Sequence, residues 1–495
     1  MKSIRSFTVR DCLRLCTRQL PATAAVVVAT MALMGQYRGV DHWWESKSGE
    51  QLPLSSTFTN ATGELMIYNI DGPIVTQNHP FFEELGVNGR ACVTCHQPAN
   101  AMSLGTERLN ERWVETKGKD PIFAGIDGSN CPSLPQNEKA SHSLLLQRGL
   151  FRIYLPWPAV AAKGTPAEPE FSIEVVRDPT GCNTDPVYGL QSDHPTISVF
   201  RRPRMVGNLK YVVGSPDPLH TGSLAADGRD NNLELQAIDA AQAHEQMRRP
   251  LTKAEVNKIL DFESQIFVAQ TTDLKGGDLA EVDGPDALGA WNLGRGKVAS
   301  DVSNKPVFFA ADDWTNPLHR SDSATTAFRA SVVRGNAIFS GRKFLIQQTA
   351  NLTAKPQAEQ AGTCATCHSS PMAGSNAEQR PMDVGTTNPA FTAHTLEVQD
   401  LPLFKITCRQ GVPEHPFLGR VIYSTDPGRA LITGKCADVG SIVAQQLRGL
   451  SARAPYFANG SAANLLEVVK FYDQRYTMKL TETEKQDLVN FLGVL

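Results

Sequence analysis

A five-residue pattern, Cys-x-x-Cys-His, occurs twice in this chain of 495 residues and constrains its structure more than any other feature. Cys-Val-Thr-Cys-His fills positions 92–96, and Cys-Ala-Thr-Cys-His fills positions 364–368. In this pattern the two thiols bond to a porphyrin edge, and the adjacent histidine becomes an axial ligand of the iron. The sequence therefore predicts two covalently bound haems c. The residues expected to hold them are Cys92, Cys95, His96, Cys364, Cys367 and His368.

Two other kinds of site also use paired cysteines. A thioredoxin-like redox site expects a βαβ context and needs no following histidine. A structural zinc site needs four ligands, usually from two Cys-x-x-Cys units that are close in sequence. The two copies here are far apart along the chain. Haem attachment therefore explains the pattern better, and zinc or redox-active cysteines remain the alternatives.

The N-terminus has the composition of a targeting segment. Basic residues at positions 2–18 precede an apolar stretch over 20–35 that suits a signal-peptide core. An uncleaved membrane anchor is the alternative. No later stretch is apolar enough to cross a bilayer, so we expect the bulk of the chain in the periplasm. The formal net charge of -3 gives no reason to expect a nucleic-acid partner.

The cysteine count agrees with export. Of ten cysteines, four belong to the haem motifs and two lie in the N-terminal segment, which leaves an even number for disulfide bonds. Three pairings are possible. We favour Cys131–Cys182 with Cys408–Cys436, because each bond then stays within one haem module; free buried thiols are the alternative.

A second repeat accompanies the haem motifs. Thr252 and Glu255 form a capping-box signature that precedes an apolar helical stripe, and Thr481 and Glu484 do the same near the C-terminus. Each haem motif is thus followed by a similar amphipathic helix. Upstream of the second motif, 328–344 is expected to form an entry helix that packs near the haem.

These patterns predict a mainly α fold with two c-type cytochrome modules in tandem and a small β insertion in the first. Short apolar runs separated by Pro and Gly, at 151–155, 171–176 and 196–200, predict the strands of the insertion. Covering a haem edge is its expected role, with substrate access or partner docking as alternatives. The expected boundaries are 1–35 for the signal peptide or anchor, 36–271 for the N-terminal haem module with its insertion at about 131–211, 272–325 for a linker, and 326–495 for the C-terminal haem module.

From about residue 89 to its end, the chain resembles the bacterial di-haem cytochrome c peroxidase and MauG family. The motifs that carry the resemblance are Asp-Gly-Arg at 227–229, Asp-Pro-Gly-Arg at 426–429, Leu-Arg-Gly-Leu at 447–450, Ala-Pro-Tyr-Phe at 454–457 and Asn-Gly-Ser at 459–461. The resemblance implies that peroxide binds at the N-terminal haem and that the C-terminal haem is a six-coordinate electron store. O–O cleavage also needs an acid–base group and polarising donors above the metal.

The resemblance suggests which residues serve the first haem. Gln236 matches the family's distal glutamine, and Glu245 is the expected acid–base carboxylate, with a solvated helix carboxylate as the alternative. His244 could ligate the first iron at rest and leave on reduction, or be an ordinary surface histidine. Arg229 could orient a haem propionate or close its loop through a salt bridge.

For the second haem, the family's position for the sixth ligand falls on Tyr472. A phenolate would favour high oxidation states, whereas a thioether would raise the reduction potential; an aromatic residue on an amphipathic helix is otherwise usually part of a core. Met478 is the next candidate, followed by Met372 and Met382. The family's histidine after Ala-Pro-Tyr-Phe is replaced by Ala458 and its inter-haem tryptophan by Ala226. Fast electron transfer between the haems would then need another group; Tyr211, Trp291 and Trp314 are the candidates.

The function expected from these observations is a periplasmic di-haem c oxidoreductase that reduces hydrogen peroxide. Its electron donor would be a small redox protein, a cytochrome c or a cupredoxin. The alternatives are an electron-transfer cytochrome without peroxidase activity and a di-haem oxygenase. A calcium ion between the modules, as in several relatives, is left open.

Overall fold

The computed structural model describes residues 37–38, 43–159, 168–213, 223–281, 284–295, 314, 323–352, 359–368, 374, 381–392 and 395–495. The chain divides into two compact units, Met1–Arg38 and Gly39–Leu495. The predicted signal peptide or anchor, 1–35, and most of the predicted linker lie outside the described residues. No helix of the described part is long and apolar enough to span a bilayer.

The strands, in chain order, are β1 (Tyr37–Arg38), β2 (Gln51–Leu52), β3 (Ser55–Asn60), β4 (Gly63–Asn69), β5 (Ile74–Val75), β6 (Phe151–Pro156), β7 (Phe171–Arg177), β8 (Thr196–Arg201), β9 (Ile266–Asp273), β10 (Gly277–Asp278), β11 (Phe344–Gln347), β12 (Glu359–Gly362), β13 (Leu403–Cys408) and β14 (Val421–Ser424). The α-helices are α1 (Cys92–Cys95), α2 (Thr106–Thr116), α3 (Ser143–Arg148), α4 (Leu233–His244), α5 (Lys253–Gln265), α6 (Ala290–Gly294), α7 (Ser323–Gly341), α8 (Cys364–Cys367), α9 (Pro389–Thr392), α10 (Ala430–Thr433), α11 (Leu465–Arg475) and α12 (Glu482–Gly493).

The expectation of a mainly α fold was wrong. The structure is 32% helix and 20% strand, and its strands form five sheets. One reason is visible just after α5, where the apolar stripe predicted for that helix continues into a strand. The helix α5 ends at Gln265, and Phe267 lies in β9. Nearly all of β9 is buried, so its apolar run lacks the alternation that marks a strand with one exposed face.

An antiparallel sheet with the order β3-β4-β9-β10 lies at the centre of the first half. β3 and β4 form a hairpin in which Ser55 pairs with Tyr68, and β4 then pairs with β9 through Ile67 and Val268. Hydrophobic side chains of this sheet belong to the same core as the residues around the first haem motif. The sheet thus connects that motif with the end of α5.

The three strands predicted between Cys131 and Tyr211 are confirmed as β6, β7 and β8. β6 pairs with β8, as expected for a local insertion. β7, however, pairs with β13 from the C-terminal half, with Ile173 opposite Ile406. The described insertion is therefore shared between the two halves of the chain, and the predicted module boundaries remain predictions.

Both favoured cysteine pairs lie at disulfide distance. The Cα–Cα distance is 5.1 Å for Cys131 and Cys182 and 5.9 Å for Cys408 and Cys436, within the usual range for a disulfide bond. The first pair joins residues on either side of β6 and β7, and the second joins β13 to the turn after α10.

The two helices with a predicted capping box begin where the sequence indicated. The Thr252 and Thr481 side chains accept hydrogen bonds from the Glu255 and Glu484 backbone N–H groups, and both capping boxes are complete. The expected entry helix corresponds to α7, which ends at Gly341, so that Phe344 begins β11 instead. α7 packs against α12, where a Cβ on Gly335 would collide with the Asp487 carbonyl oxygen. Glycine at this position therefore permits the close approach of the two helices.

Candidate functional site

Each Cys-x-x-Cys-His motif folds as one helical turn that ends at its histidine. At the first motif, the Ala91 backbone N–H donates to the Thr94 hydroxyl over 3.0 Å, and the His96 N–H donates to the Cys92 carbonyl over 3.1 Å. Since residues three apart share one face of a helix, the Cys92 and Cys95 thiols lie on the same side of the turn.

The second motif repeats these contacts. The Thr363 N–H donates to the Thr366 hydroxyl over 2.9 Å, and the His368 N–H donates to the Cys364 carbonyl over 3.1 Å. The local sequence thus gives the same geometry at two separate places in the molecule.

Both motif histidines are oriented by a backbone carbonyl six residues downstream. The Nδ1 atom of His96 lies 3.1 Å from the Met102 oxygen, and that of His368 lies 2.8 Å from the Gly374 oxygen. Burial lowers the pKa of His96 to about 4 and also lowers the pKa of His368. A neutral imidazole that donates from Nδ1 leaves the Nε2 lone pair for a metal, so both rings suit axial ligation.

The residues around the motifs fit haem better than zinc. In the described ranges no three His, Cys, Asp or Glu side chains are grouped so that they could hold a metal ion by themselves, and this applies to the calcium ion considered above as well as to zinc. Burial raises the pKa of Cys95, Cys364 and Cys367 to about 12. These thiols stay protonated at neutral pH, unlike a reactive redox pair.

A cleft beside the second motif has about 1510 Å³ of empty space, including its open mouth. Cys364, Cys367 and His368 all line it. The remaining wall is mainly apolar and includes Phe339, Ile346, Met382, Leu465, Leu488 and Leu492. Apolar walls with two thiols and one oriented histidine suit a covalently attached porphyrin.

Tyr472 lies in this cleft together with the methionine candidates. Its ring centroid is 6.4 Å from that of His368, and the two rings are perpendicular. Burial raises the pKa of Tyr472 well above its usual range, so the phenol is protonated until a metal replaces the proton. Met478 and Met382 line the same cleft, whereas Met372 lies outside the described residues. Ligation by Tyr472 therefore remains a prediction that its position permits.

Glu245, the predicted acid–base group, lies beside the first motif. It follows α4 directly and is buried, and its Oε1 atom accepts a hydrogen bond from the Cys92 thiol over 3.3 Å. Burial raises the pKa of Glu245 to about 7. Its Oε2 atom has no hydrogen-bond partner among the described residues. Gln236 lies on the same helix, half-buried and more than two turns before Glu245.

His244 is oriented by a carboxylate that the sequence analysis missed. Its Nδ1 atom lies 2.7 Å from Asp127 Oδ2, and Asp127 is fully buried and also pairs with Arg90. The Arg90 charge and the His244 hydrogen bond hold the pKa of Asp127 low despite its burial. A histidine with Nδ1 fixed in this way presents Nε2 outward, as metal ligands do. No sequence signal connects residues 127 and 244, which are far apart in the chain.

A second buried carboxyl group near Cys92 was also missed. Glu263 lies on α5 and is 4% exposed, and its Oε2 atom lacks a partner among the described residues. Burial raises the pKa of Glu263 to about 8. Burial, Glu245 and Glu263 together raise the pKa of the Cys92 thiol. The sequence did contain a signal for this residue. The helical repeat aligns Phe262 with Phe491, so Glu263 occupies the position of Leu492, an apolar residue of the second cleft. A carboxyl group at an apolar position of the repeat indicates a buried acid.

The Asp-Gly-Arg and Asp-Pro-Gly-Arg motifs meet at one buried arginine. Arg201 Nε donates to Asp426 over 2.7 Å, and its Nη1 atom donates to Asp227 over 2.5 Å. Arg229 also pairs with Asp227, with its Nε atom 2.9 Å from Oδ1. Of the two alternatives for Arg229, the structure thus shows the salt bridge that closes its loop.

Of the two positions where the chain departs from the family pattern, one lines the second cleft and the other contacts a residue of its wall. Ala458 lines the cleft, and its carbonyl accepts the Arg202 N–H over 2.8 Å. Ala226 accepts the N–H of Val443, another cleft residue, over 2.8 Å. The suggested substitutes for the inter-haem tryptophan do not line this cleft. Trp291 packs against Tyr68, and Tyr211 donates to the Leu293 carbonyl. Trp314 lies near Arg329 and belongs to the same hydrophobic core as Phe339.

Among curated proteins, the chain is similar to cytochrome-c peroxidase IdrP1 of Denitromonas iodatirespirans. The two are 30% identical over 214 residues, which cover 40% of this chain and 46% of that protein. This similarity agrees with the resemblance of the chain to the di-haem cytochrome c peroxidase and MauG family. It spans about half the length of the curated relative that it matches.

No family model matches the chain. Among solved structures, a MauG-like protein associated with microbial copper homeostasis is 16% identical, over 60% of this chain and 75% of that one, with a TM-score of 0.27. The relationship to the peroxidase family therefore depends on the sequence similarity, and haem is the cofactor that this family implies.

Proposed function

We propose that the protein is a periplasmic di-haem c oxidoreductase that reduces hydrogen peroxide at the first motif. Electrons would come from a small redox protein, a cytochrome c or a cupredoxin, through the second motif. The observation that carries the proposal is a difference between the surroundings of the two motifs, whose own local geometry is the same. Two buried carboxyl groups, Glu245 and Glu263, flank the first, whereas the phenols Tyr472 and Tyr476 line the second.

When bound, haem supplies the iron that accepts peroxide and exchanges electrons. Glu245 supports this chemistry, because a carboxyl group with a pKa of about 7 can both take and return a proton near neutral pH. It would take the proton of the peroxide oxygen nearest the metal and return it to the departing oxygen. Gln236 would supply a polar donor near the same site.

His244 would control access to the first metal. Its Nδ1 contact with Asp127 leaves Nε2 available as a ligand, and its side chain is 41% exposed, so it has room to move away. Electron delivery to the second haem would favour that movement, by analogy with the resting state implied by the family resemblance.

Peroxide reactivity tests the proposal directly. The fully oxidised and half-reduced forms of the haem-loaded protein would be mixed with hydrogen peroxide, and the haem absorbance would be followed by stopped flow. We expect a rapid spectral change in at least one form and turnover with a reduced cytochrome c. Unchanged spectra in both forms would rule out a peroxidase.

The oriented His244 also supports a second candidate, a cytochrome that only transfers electrons. In that case His244 would remain bound to the first metal in every redox state. Binding of carbon monoxide to the reduced protein distinguishes the two, since a permanently six-coordinate site would not bind it.

The periplasmic location is proposed from the N-terminal segment and the two cysteine pairs at disulfide distance. Mass spectrometry of the purified protein should find both disulfides and a chain that begins after about residue 35. Free thiols at all four cysteines would contradict export to an oxidising compartment.

A further inference from the structure

Two buried arginines, Arg202 and Arg453, and the half-buried Arg204 cluster at the wall of the second cleft. Arg202 and Arg453 line the cleft and are each 8% exposed, and Arg202 donates to the Arg453 carbonyl over 3.0 Å. Arg204 lies behind them and donates to the carbonyl of Ala444, a cleft residue, over 3.0 Å. The cluster thus concentrates positive charge on one side of the space beside His368.

The N–H groups of these arginines bond mainly to backbone carbonyls. Arg202 donates to the Arg148 carbonyl over 2.7 Å, and Arg453 Nε donates to the Arg448 carbonyl over 3.1 Å. A carbonyl satisfies a donor but does not neutralise a charge. No carboxylate of the described residues forms an ion pair with Arg202 or Arg453, although Asp227 lies near enough to favour the charge of Arg204.

Some buried arginines have carboxylate partners, Arg90 with Asp127 and Arg201 with both Asp227 and Asp426. Arg202 and Arg453 differ from these in that no described carboxylate neutralises them, although they lie close to each other. Burying an unpaired guanidinium is costly. Burial and the neighbouring Arg453 lower the pKa of Arg202 to about 9, and burial lowers that of Arg453 to about 10.

An anion that enters the cleft would remove this cost. The rest of the cleft wall is mainly apolar, and among the described residues the phenol of Tyr456 lies near both arginines. Burial raises the pKa of Tyr456 to about 12, so it is neutral and provides no counter-charge. Guanidinium groups bind carboxylates in particular, through paired N–H donors.

We propose that Arg202 and Arg453 form a carboxylate-binding subsite that holds the propionate groups of the second haem. This inference rests on the proposed function, because it requires a porphyrin attached to Cys364 and Cys367. Haem c carries two propionates on the edge opposite its thioether bonds. Their negative charges would pair with the two guanidiniums and fix the in-plane orientation of the ring.

The unmodified haem-loaded protein provides the first test. Growth on ¹³C-labelled δ-aminolevulinic acid would label the propionate carboxyl groups, and infrared difference spectra would follow them with pH. An ordinary carboxylate takes up its proton near a pKa of about 4.3. We expect the propionates of one haem to remain ionised well below that pH; protonation of all of them in the ordinary range would overturn the subsite.

Charge removal provides the second test. Arg453→Gln and Arg202→Gln should each lower the reduction potential of the second haem, because a lost cation favours the ferric state, and should shift the labelled carboxylate bands. Arg453→Lys should preserve most of the potential but alter the bands. Arg342→Gln, at a surface ion pair with Glu484, is the control and should change neither.

Pyridine haemochrome analysis separates failure of this inference from failure of the proposed function. If two covalent haems are present but neither variant changes the carboxylate bands or the reduction potential, the subsite is refuted and the protein is still a di-haem protein. The arginines would then bind a carboxylate from solution instead. Absence of haem at the second motif would instead refute the proposed function.

Discussion

At the scale of single residues, the two motifs differ in the chemistry that surrounds them rather than in their own geometry. Both histidines donate to a carbonyl six residues on. Among the residues that the structure describes, the first has the buried carboxyl groups of Glu245 and Glu263 near Cys92, and no carboxyl group affects the pKa of Cys364 or Cys367. Acid–base function at one site and electron storage at the other would follow from this difference in neighbours.

Glu245→Gln should lower the turnover of hydrogen peroxide by about 100-fold or more, because a positioned acid–base group contributes roughly 10²–10⁴-fold. Steady-state oxidation of reduced cytochrome c measures the change, and the haem content should be that of the wild type. Glu234→Gln on the same helix removes an exposed carboxylate that pairs with Lys253 and should leave turnover within about twofold. Full activity in Glu245→Gln would exclude its role.

The carboxyl group of Glu263 predicts a pH dependence of stability. Its pKa rises from 4.5 to about 8 on folding, so the folded state favours the neutral acid. The unfolding free energy should therefore be unaffected below about pH 4.5 and fall as the pH rises towards 8, by roughly 1.4 kcal/mol for each unit of pKa difference. Denaturant titrations of Glu263→Gln at pH 5 and pH 8 should show a smaller fall than the wild type. Asp261→Asn, on the exposed side of the same helix, should behave as the wild type.

At the scale of elements, each haem motif is followed in the chain by a helix that begins with a capping box. α12 begins with a complete capping box and packs against α7. Thr481→Ala should lower the free energy of unfolding by about 1 kcal/mol, since it removes the hydroxyl that accepts the Glu484 N–H hydrogen bond. Thr483→Ala is a matched control in the first turn and should have no destabilising effect, because alanine favours helix. Equal midpoints for the two variants in chemical unfolding would show that the cap contributes nothing.

At the scale of the whole molecule, buried charges and one sheet connect residues far apart in the chain. β7 pairs with β13, and Arg201 bonds to both Asp227 and Asp426. These contacts make the stability of each half depend on the other, which would not be the case for two independent modules.

Arg201→Ala should destabilise the protein by about 3–5 kcal/mol, because it leaves the buried Asp426 carboxylate without its cation and leaves Asp227 paired with Arg229 alone. Thermal or denaturant unfolding of the haem-loaded protein measures this loss. Arg420→Ala removes a partly exposed arginine whose nearest carboxylate, on Glu414, is 3.9 Å away, and it should change stability by less than about 1 kcal/mol. Similar stability of the two variants would mean that Arg201 is not essential to the connection between the two halves of the chain.

The sequence by itself determined the parts of the protein that depend on neighbouring residues. The haem-motif turns and both capping boxes are formed by residues within a few positions of one another, and the strands of the insertion follow from short apolar runs between turn residues. These features were predictable because hydrogen bonds and side-chain periodicity act over one or two turns of chain.

Only the tertiary structure decided the contacts that give each site its chemistry. Asp127 meets His244, and Glu263 approaches Cys92, across more than a hundred residues of chain. The mainly α expectation failed for the same reason, since buried β9 lacks alternation and β7 finds its partner in the other half. Such pairings depend on which apolar surfaces become buried against each other, and a local sequence pattern does not contain that information.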